Sequence, residues 1–130
     1  MAVKYVLVER GNPLKPDDKN KKWYAKAKSS GEFTFRSLSK EIAEGSTTVS
    51  DTDVMAVLND LTKILKRHLE NGEIVRFGDF GAFQISISSE GAEKEEKFHH
   101  SMIKSSKVLF RPGTDLKEMK NNLKFEKTKK

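Results

Sequence analysis

The side chains with chemical potential in this chain are mostly cations. Lysine and arginine together number 25 against 19 aspartates and glutamates, with three histidines and no cysteine. His68 stands alone, and His99 and His100 are adjacent. Adjacent residues point about 100° apart on a helix and to opposite faces of a strand, so a shared metal ion is not expected there. The absence of cysteine excludes disulfides and thiolate metal sites. No Ser/His/Asp set or carboxylate pair can be argued from the spacing. Gly78-Asp79-Phe80-Gly81 has the letters of a kinase magnesium motif, but no phosphate loop or catalytic loop accompanies it. The expectation is a protein that is not an enzyme, with no cofactor, no metal and no small-molecule substrate.

The cations are unevenly distributed. Net charge is +5 over residues 1–31, −2 over 32–72, −1 over 73–110 and +4 over 111–130, giving +6 in all. Two basic ends around a near-neutral middle suit a polyanionic partner. The candidate nucleic-acid contacts are Lys21, Lys22, Lys26 and Lys28 near the start, and Arg76 in the middle. Lys94, Lys97, Lys104 and Lys107 follow, then Arg111, Lys117, Lys120 and Lys124 near the end, the last three on a terminal helix. Each has a plainer reading. An exposed lysine is more often solvated than bound, Arg76 can pair with Asp79 or Glu73, and Lys127, Lys129 and Lys130 can simply aid solubility. Trp23 and Tyr24 read as sheet packing before base stacking.

The elements that must position these residues follow from pattern. With 35% hydrophobic and 34% charged residues, 130 residues make a single domain with a small core. Residues 2–9 and 22–28 read as strands of an irregular hairpin, joined by the proline- and glycine-containing loop from Arg10 to Lys21. Thr34 caps a short helix with Phe35, Leu38 and Ile42 on one face, stopped by Gly45. Ser50, with Asp53 three residues on, caps a long helix over 51–70 ending at Gly72. Val54, Val57, Leu58, Leu61, Leu65 and Leu69 form its stripe, flanked by Met55 and Ile64. One copy cannot cover so wide a stripe, which predicts a homodimer whose interface takes Val54, Val57, Leu58, Leu61 and Leu65 with Phe77, Phe80 and Phe83. From Phe83 the alternation is strict: Phe83, Ile85 and Ile87 face one way, Gln84, Ser86 and Ser88 the other. Residues 90–97 are a polar excursion. Phe98, Met102 and Ile103 suggest a helical turn, 107–110 a returning strand, and Leu116, Met119 and Leu123 a terminal helix before a mobile tail. The N-terminus does not read as a signal peptide and no run is long enough to span a bilayer, so a soluble, intracellular protein is expected.

Three segments carry a family resemblance. LSKEIAEGS and the long helix ending in ENG resemble the paired helices of the bacterial HU/IHF histone-like DNA-binding family. IVRFGDFGAF is similar to its glycine-rich strand segment, with Phe80, Gly81 and Phe83 on the GFGxF signature and Asp79 in place of the first glycine. FRPG followed by Leu116 and Lys117 resembles its closing segment. The likeness covers about residues 34–125, and a basic N-terminal hairpin in front is similar to extended HU-like proteins of gut-type bacteria. The resemblance implies an α+β, IHF-like DNA-binding fold: a two-helix base, an antiparallel saddle with an arm hairpin, a C-terminal helix and an intertwined dimer. The implied domains are a hairpin extension over 1–31, an HU-like domain over 32–125 and a disordered basic tail over 126–130. The implied partner is double-stranded DNA, bound in the nucleoid with little sequence preference and without a membrane. The chain departs from the family in its arm. Residues 84–109 contain four lysines, four glutamates and no proline or arginine. The family's wedge between base pairs is therefore missing, although Phe98 or Met102 could replace it, and strong bending is not expected. The competing reading is a protein-interaction scaffold on an HU-like dimer that has lost DNA binding.

Overall fold

The computed structural model describes residues 1–11, 14, 20–46 and 48–129. Most of the loop expected after Arg10, Thr47 of the helix linker and Lys130 of the tail lie outside the described residues. Among those described, three α-helices and two three-stranded sheets form in the order β1 (Val3–Arg10), β2 (Lys22–Lys28), α1 (Phe35–Gly45), α2 (Asp51–Glu70), β3 (Val75–Phe77), β4 (Gly81–Ser89), β5 (Ile103–Pro112), α3 (Thr114–Asn121) and β6 (Phe125–Lys127). The chain divides into two compact units, one of Met1–Thr34 with Lys120–Lys130, the other of Phe35–Met119.

In the second unit, α1 packs on α2. Ser39 is the most buried side chain of α1, at 2% exposure, and its hydroxyl donates to the Phe35 carbonyl at 2.5 Å. A small residue that satisfies its own hydroxyl lets two helices approach without an orphaned polar group. Phe35 and Ile42, expected on the apolar face, are exposed instead. α2 starts as its sequence requires, Ser50 Oγ accepting from Asp53 N at 3.1 Å. It ends in a Schellman arrangement: Gly72 N donates to Leu69 O, Glu73 N to His68 O, and Gly72 takes φ +78°. His68 Nδ1 and Glu73 Oε2 lie 2.6 Å apart across this cap.

The second sheet has order β3-β4-β5, antiparallel throughout, with an irregularity between Ser88 and Ser89. β5 begins at Ile103, well before Lys107, because the whole arm stays paired. The expected helical turn at its tip is two short 3₁₀ turns, Glu95–Lys97 and His100–Met102, with Phe98 between them.

In the first unit, β1 pairs antiparallel with β2 and parallel with β6. The tail expected to be mobile is thus a strand in part. Val3 N donates to Lys124 O and Thr128 N to Tyr5 O, bracketing the parallel pairing. α3 stops at Asn121, so Leu123 and Lys124, both expected on the terminal helix, lie beyond it.

Candidate nucleic-acid interface

Strand register sorts the second sheet into two chemically distinct faces. Residues paired across strands share a face, and successive residues alternate. Val75 pairs with Phe83 and Phe83 with Phe110, and Ile85 pairs with Val108. Phe83, Ile85 and Val108 line an open apolar cleft of about 460 Å³ together with Leu65 and Leu69, so this face is turned to α2. The other face carries the row Arg76, Ala82, Arg111, then Gln84 with Leu109, Ser86 with Lys107 and Ser88 with Ser105. Arg76, Lys107 and Arg111 are all exposed. No described carboxylate forms an ion pair with any of them, and Glu73, one expected partner of Arg76, is held by His68. β3, β4 and β5 contain no aspartate or glutamate. Three unneutralised cations on a polar strip suit phosphate oxygens.

The two glycine motifs lock this row in place. Gly78 takes φ +56°, the left-handed turn that reverses β3 into β4. A Cβ on Gly81 would stand 2.5 Å from Phe110 Cζ and 2.6 Å from the Arg111 carbonyl oxygen. One on Gly113 would meet the backbone of Asp79. Gly113 N donates to Phe80 O at 2.8 Å and Asp115 N to Asp79 O at 3.1 Å. The GDFG turn and the FRPG turn are therefore a single knot, with Arg111 inside it. Phe80 and Phe83 each contact the Phe110 ring, with centroids 5.8 and 4.9 Å away. Asp79, where the family pattern has glycine, is not in a positive-φ conformation, so the backbone accepts it without strain.

The arm offers less. Lys104 sits 3.8 Å from Glu90, while Lys94 precedes and Lys97 ends a 3₁₀ turn that begins Glu95-Glu96. Met102 turns back into the tip, its Sδ accepting from His99 N at 3.5 Å, and Phe98 stays partly exposed. His99 and His100 were expected to diverge, yet their rings stack with centroids 4.3 Å apart. The irregular backbone of the tip, with His99 capping the second turn, allows what a regular helix or strand forbids.

A family profile, HU-HIG, described as an HU domain fused to wHTH, Ig, or Glycine-rich motif, matches residues 1–127. The chain belongs to the HU-HIG family. Two solved structures share its fold. One is a candidate bacterial DNA binding protein from Bacteroides vulgatus ATCC 8482, with TM-score 0.63 at 14% identity, covering 97% of this chain and 48% of that one. The other is Anabaena HU in a cocrystal with DNA, with TM-score 0.53 at 16% identity, covering 68% of this chain and 98% of that one. The chain thus spans about half the length of the Bacteroides protein. No curated protein matches it.

Within this HU-HIG chain the expected contact residues fall into separate groups. Arg76, Lys107 and Arg111 come together on the polar face. Lys117 and Lys120 lie three residues apart on α3, one side of a helix. Lys124 lies just before β6, its carbonyl accepting from Val3 N. Lys22, Lys26 and Lys28 share one face of β2, with Lys21 just before it, and Lys28 Nζ donates to the Lys129 carbonyl at 2.9 Å. Two cations the sequence reading missed, Lys4 and Arg10, join them through pairing with Lys28 and Lys22. Only the β1–β2 register reveals that. Of the expected interface residues, Val54 is already buried inside the protomer, at 7% exposure, and has no surface left for a partner. Val57 is 64% exposed, Phe77 and Phe80 are partly exposed, and Leu58, Leu61, Leu65 and Phe83 are half-buried. No described helix is long and apolar enough to cross a membrane.

Proposed function

We propose that this HU-HIG protein is a nucleoid-associated, homodimeric binder of double-stranded DNA, largely indifferent to sequence. The observation that carries the reading is the Arg76–Ala82–Arg111 row with Lys107, an acid-free basic strip on the sheet face turned away from α2. The contacts are to phosphates, because arginines and lysines on a flat strip reach backbone oxygens without needing base edges. The DNA-bound state of the structurally similar Anabaena protein supports the same reading. The paired, proline-free arm supports binding without a strong kink. A scaffold that had lost DNA binding has no need of an acid-free basic face, so that reading is the weaker one. Lys117 and Lys120 on α3 supply further charge.

The test is a fluorescence-anisotropy titration of a duplex of about 40 bp across a salt series. Binding weakens steeply with salt, and Arg76→Ala with Arg111→Ala lowers the log–log slope by about one per arginine per protomer. Failure of the wild type to bind at low salt overturns the reading.

A further inference from the structure

The first unit is an amphipathic sheet whose two faces have opposite character. Val3, Tyr5, Leu7, Trp23, Ala25, Ala27 and Phe125 share one face by register, with Glu9 beside Trp23 and Lys127 beside Tyr5 its only charged members among the paired residues. The other face pairs Lys4 with Lys28, Val6 with Lys26, Val8 with Tyr24 and Arg10 with Lys22. Five cations thus crowd one side of two strands, and the one carboxylate there is Glu126, beside Lys4. No described residue forms an ion pair with Lys4, Arg10, Lys22 or Lys26.

Their arrangement selects among polyanions. Lys4 with Lys28 and Arg10 with Lys22 hold the two ends of the face, and its centre is Val6 opposite Lys26 and Val8 opposite Tyr24. Tyr24 is 47% exposed on an edge strand. A duplex presents phosphates to a flat surface and keeps its base faces stacked inside, so it would leave this aromatic centre unused. A single strand offers both parts, phosphates to the cations and a base face to the ring. The strand run from Lys22 to Lys28 spans about 20 Å, the length of a few nucleotides.

We propose that the basic face of the β2-β1-β6 sheet binds single-stranded nucleic acid, with Tyr24 stacking on a base and Lys4, Arg10, Lys22 and Lys26 holding the flanking phosphates. This site is distinct from the duplex-binding strip of the second sheet and stands on different residues.

The experiment measures affinity of the full chain for an unstructured oligothymidylate of about 20 nucleotides and, in parallel, for duplex. Tyr24→Ala should weaken oligothymidylate binding roughly five- to hundredfold, the range for loss of one base–aromatic stack. Tyr24→Phe should restore it, since the ring and not the hydroxyl stacks. Lys22→Ala with Lys26→Ala should lower the single-strand salt slope by about 0.7 for each lysine. Arg76→Ala with Arg111→Ala should leave oligothymidylate binding unchanged. The lone Trp23, on the opposite face, reports by fluorescence that the sheet is intact in each variant. The proposal is overturned if the wild type does not bind oligothymidylate, if Tyr24→Ala has no effect, or if Arg76→Ala with Arg111→Ala abolishes single-strand binding. It is also overturned if Lys22→Ala with Lys26→Ala affects duplex alone. Loss of duplex binding with Tyr24-dependent single-strand binding intact would instead sink the duplex reading and leave this one standing.

Discussion

Gly81, like Gly113, is a residue at which the HU-like knot leaves no room for a side chain. Its missing Cβ makes room for the Phe110 ring and the Arg111 carbonyl, at 2.5 and 2.6 Å from where that Cβ would sit. A ring can swing away, but the carbonyl belongs to a paired strand and cannot. Gly81→Ala should therefore destabilise by about 1–3 kcal/mol, read as a lower midpoint in urea. Because Arg111 sits in the displaced strand, duplex affinity should fall as well. An unchanged midpoint would mean that the knot is not close-packed. Such steric demands were legible in the sequence, since only glycine meets them and both motifs stand out as punctuation. The placement of Arg76 beside Arg111 was not. It depends on the register of β4 against β5, and the hairpin between them closes through a polar tip with an irregularity at Ser88/Ser89. No local rule fixes a register across such a connection.

At the scale of elements, the arm is a paired ribbon whose charges answer one another. Glu90 and Lys104 are both more than half exposed and 3.8 Å apart, a pair that contributes little to stability and hides its lysine from other anions. Exchanging both, Glu90→Gln with Lys104→Gln, should leave duplex affinity within about twofold, whereas Arg111→Gln alone should lower it several-fold and flatten its salt dependence. Equal losses from the two variants would return the arm to the centre of the interface. The long helix was read closely from sequence because its caps are local signals: Ser50 and Gly72 both stand where the spacing put them. β6 escaped because its three residues pair with a strand more than a hundred positions away. Nothing in a lysine-rich tail announces a parallel partner.

At the scale of the whole molecule, the decisive fact is how little a single copy buries. Among the described residues Val54 and Ala82 are the only buried apolar side chains. Val57 and Ile64, seven residues apart and so on one side of α2, both face outward. The cleft between α2 and the sheet ends in Val108, which is 64% exposed. Apolar surface returns about 25 cal/mol per Å² when covered, and in the proposed homodimer a second copy would bring the same unfilled stripe to cover it. In that proposed homodimer, association completes the core, and folding and association become one equilibrium. Two consequences can be measured. The thermal midpoint should rise with protein concentration. Val57→Asp should remove roughly 2 kcal/mol of burial from each protomer, and the substitution occurs twice in a symmetric dimer. The concentration for half-association should therefore rise by roughly a thousandfold, before the cost of an aspartate at the interface is added. Sedimentation equilibrium at micromolar concentration reads this directly. A folded wild-type monomer with a concentration-independent midpoint would show that α2 closes its own core, and the duplex reading would then have to work from a single Arg76–Arg111 strip.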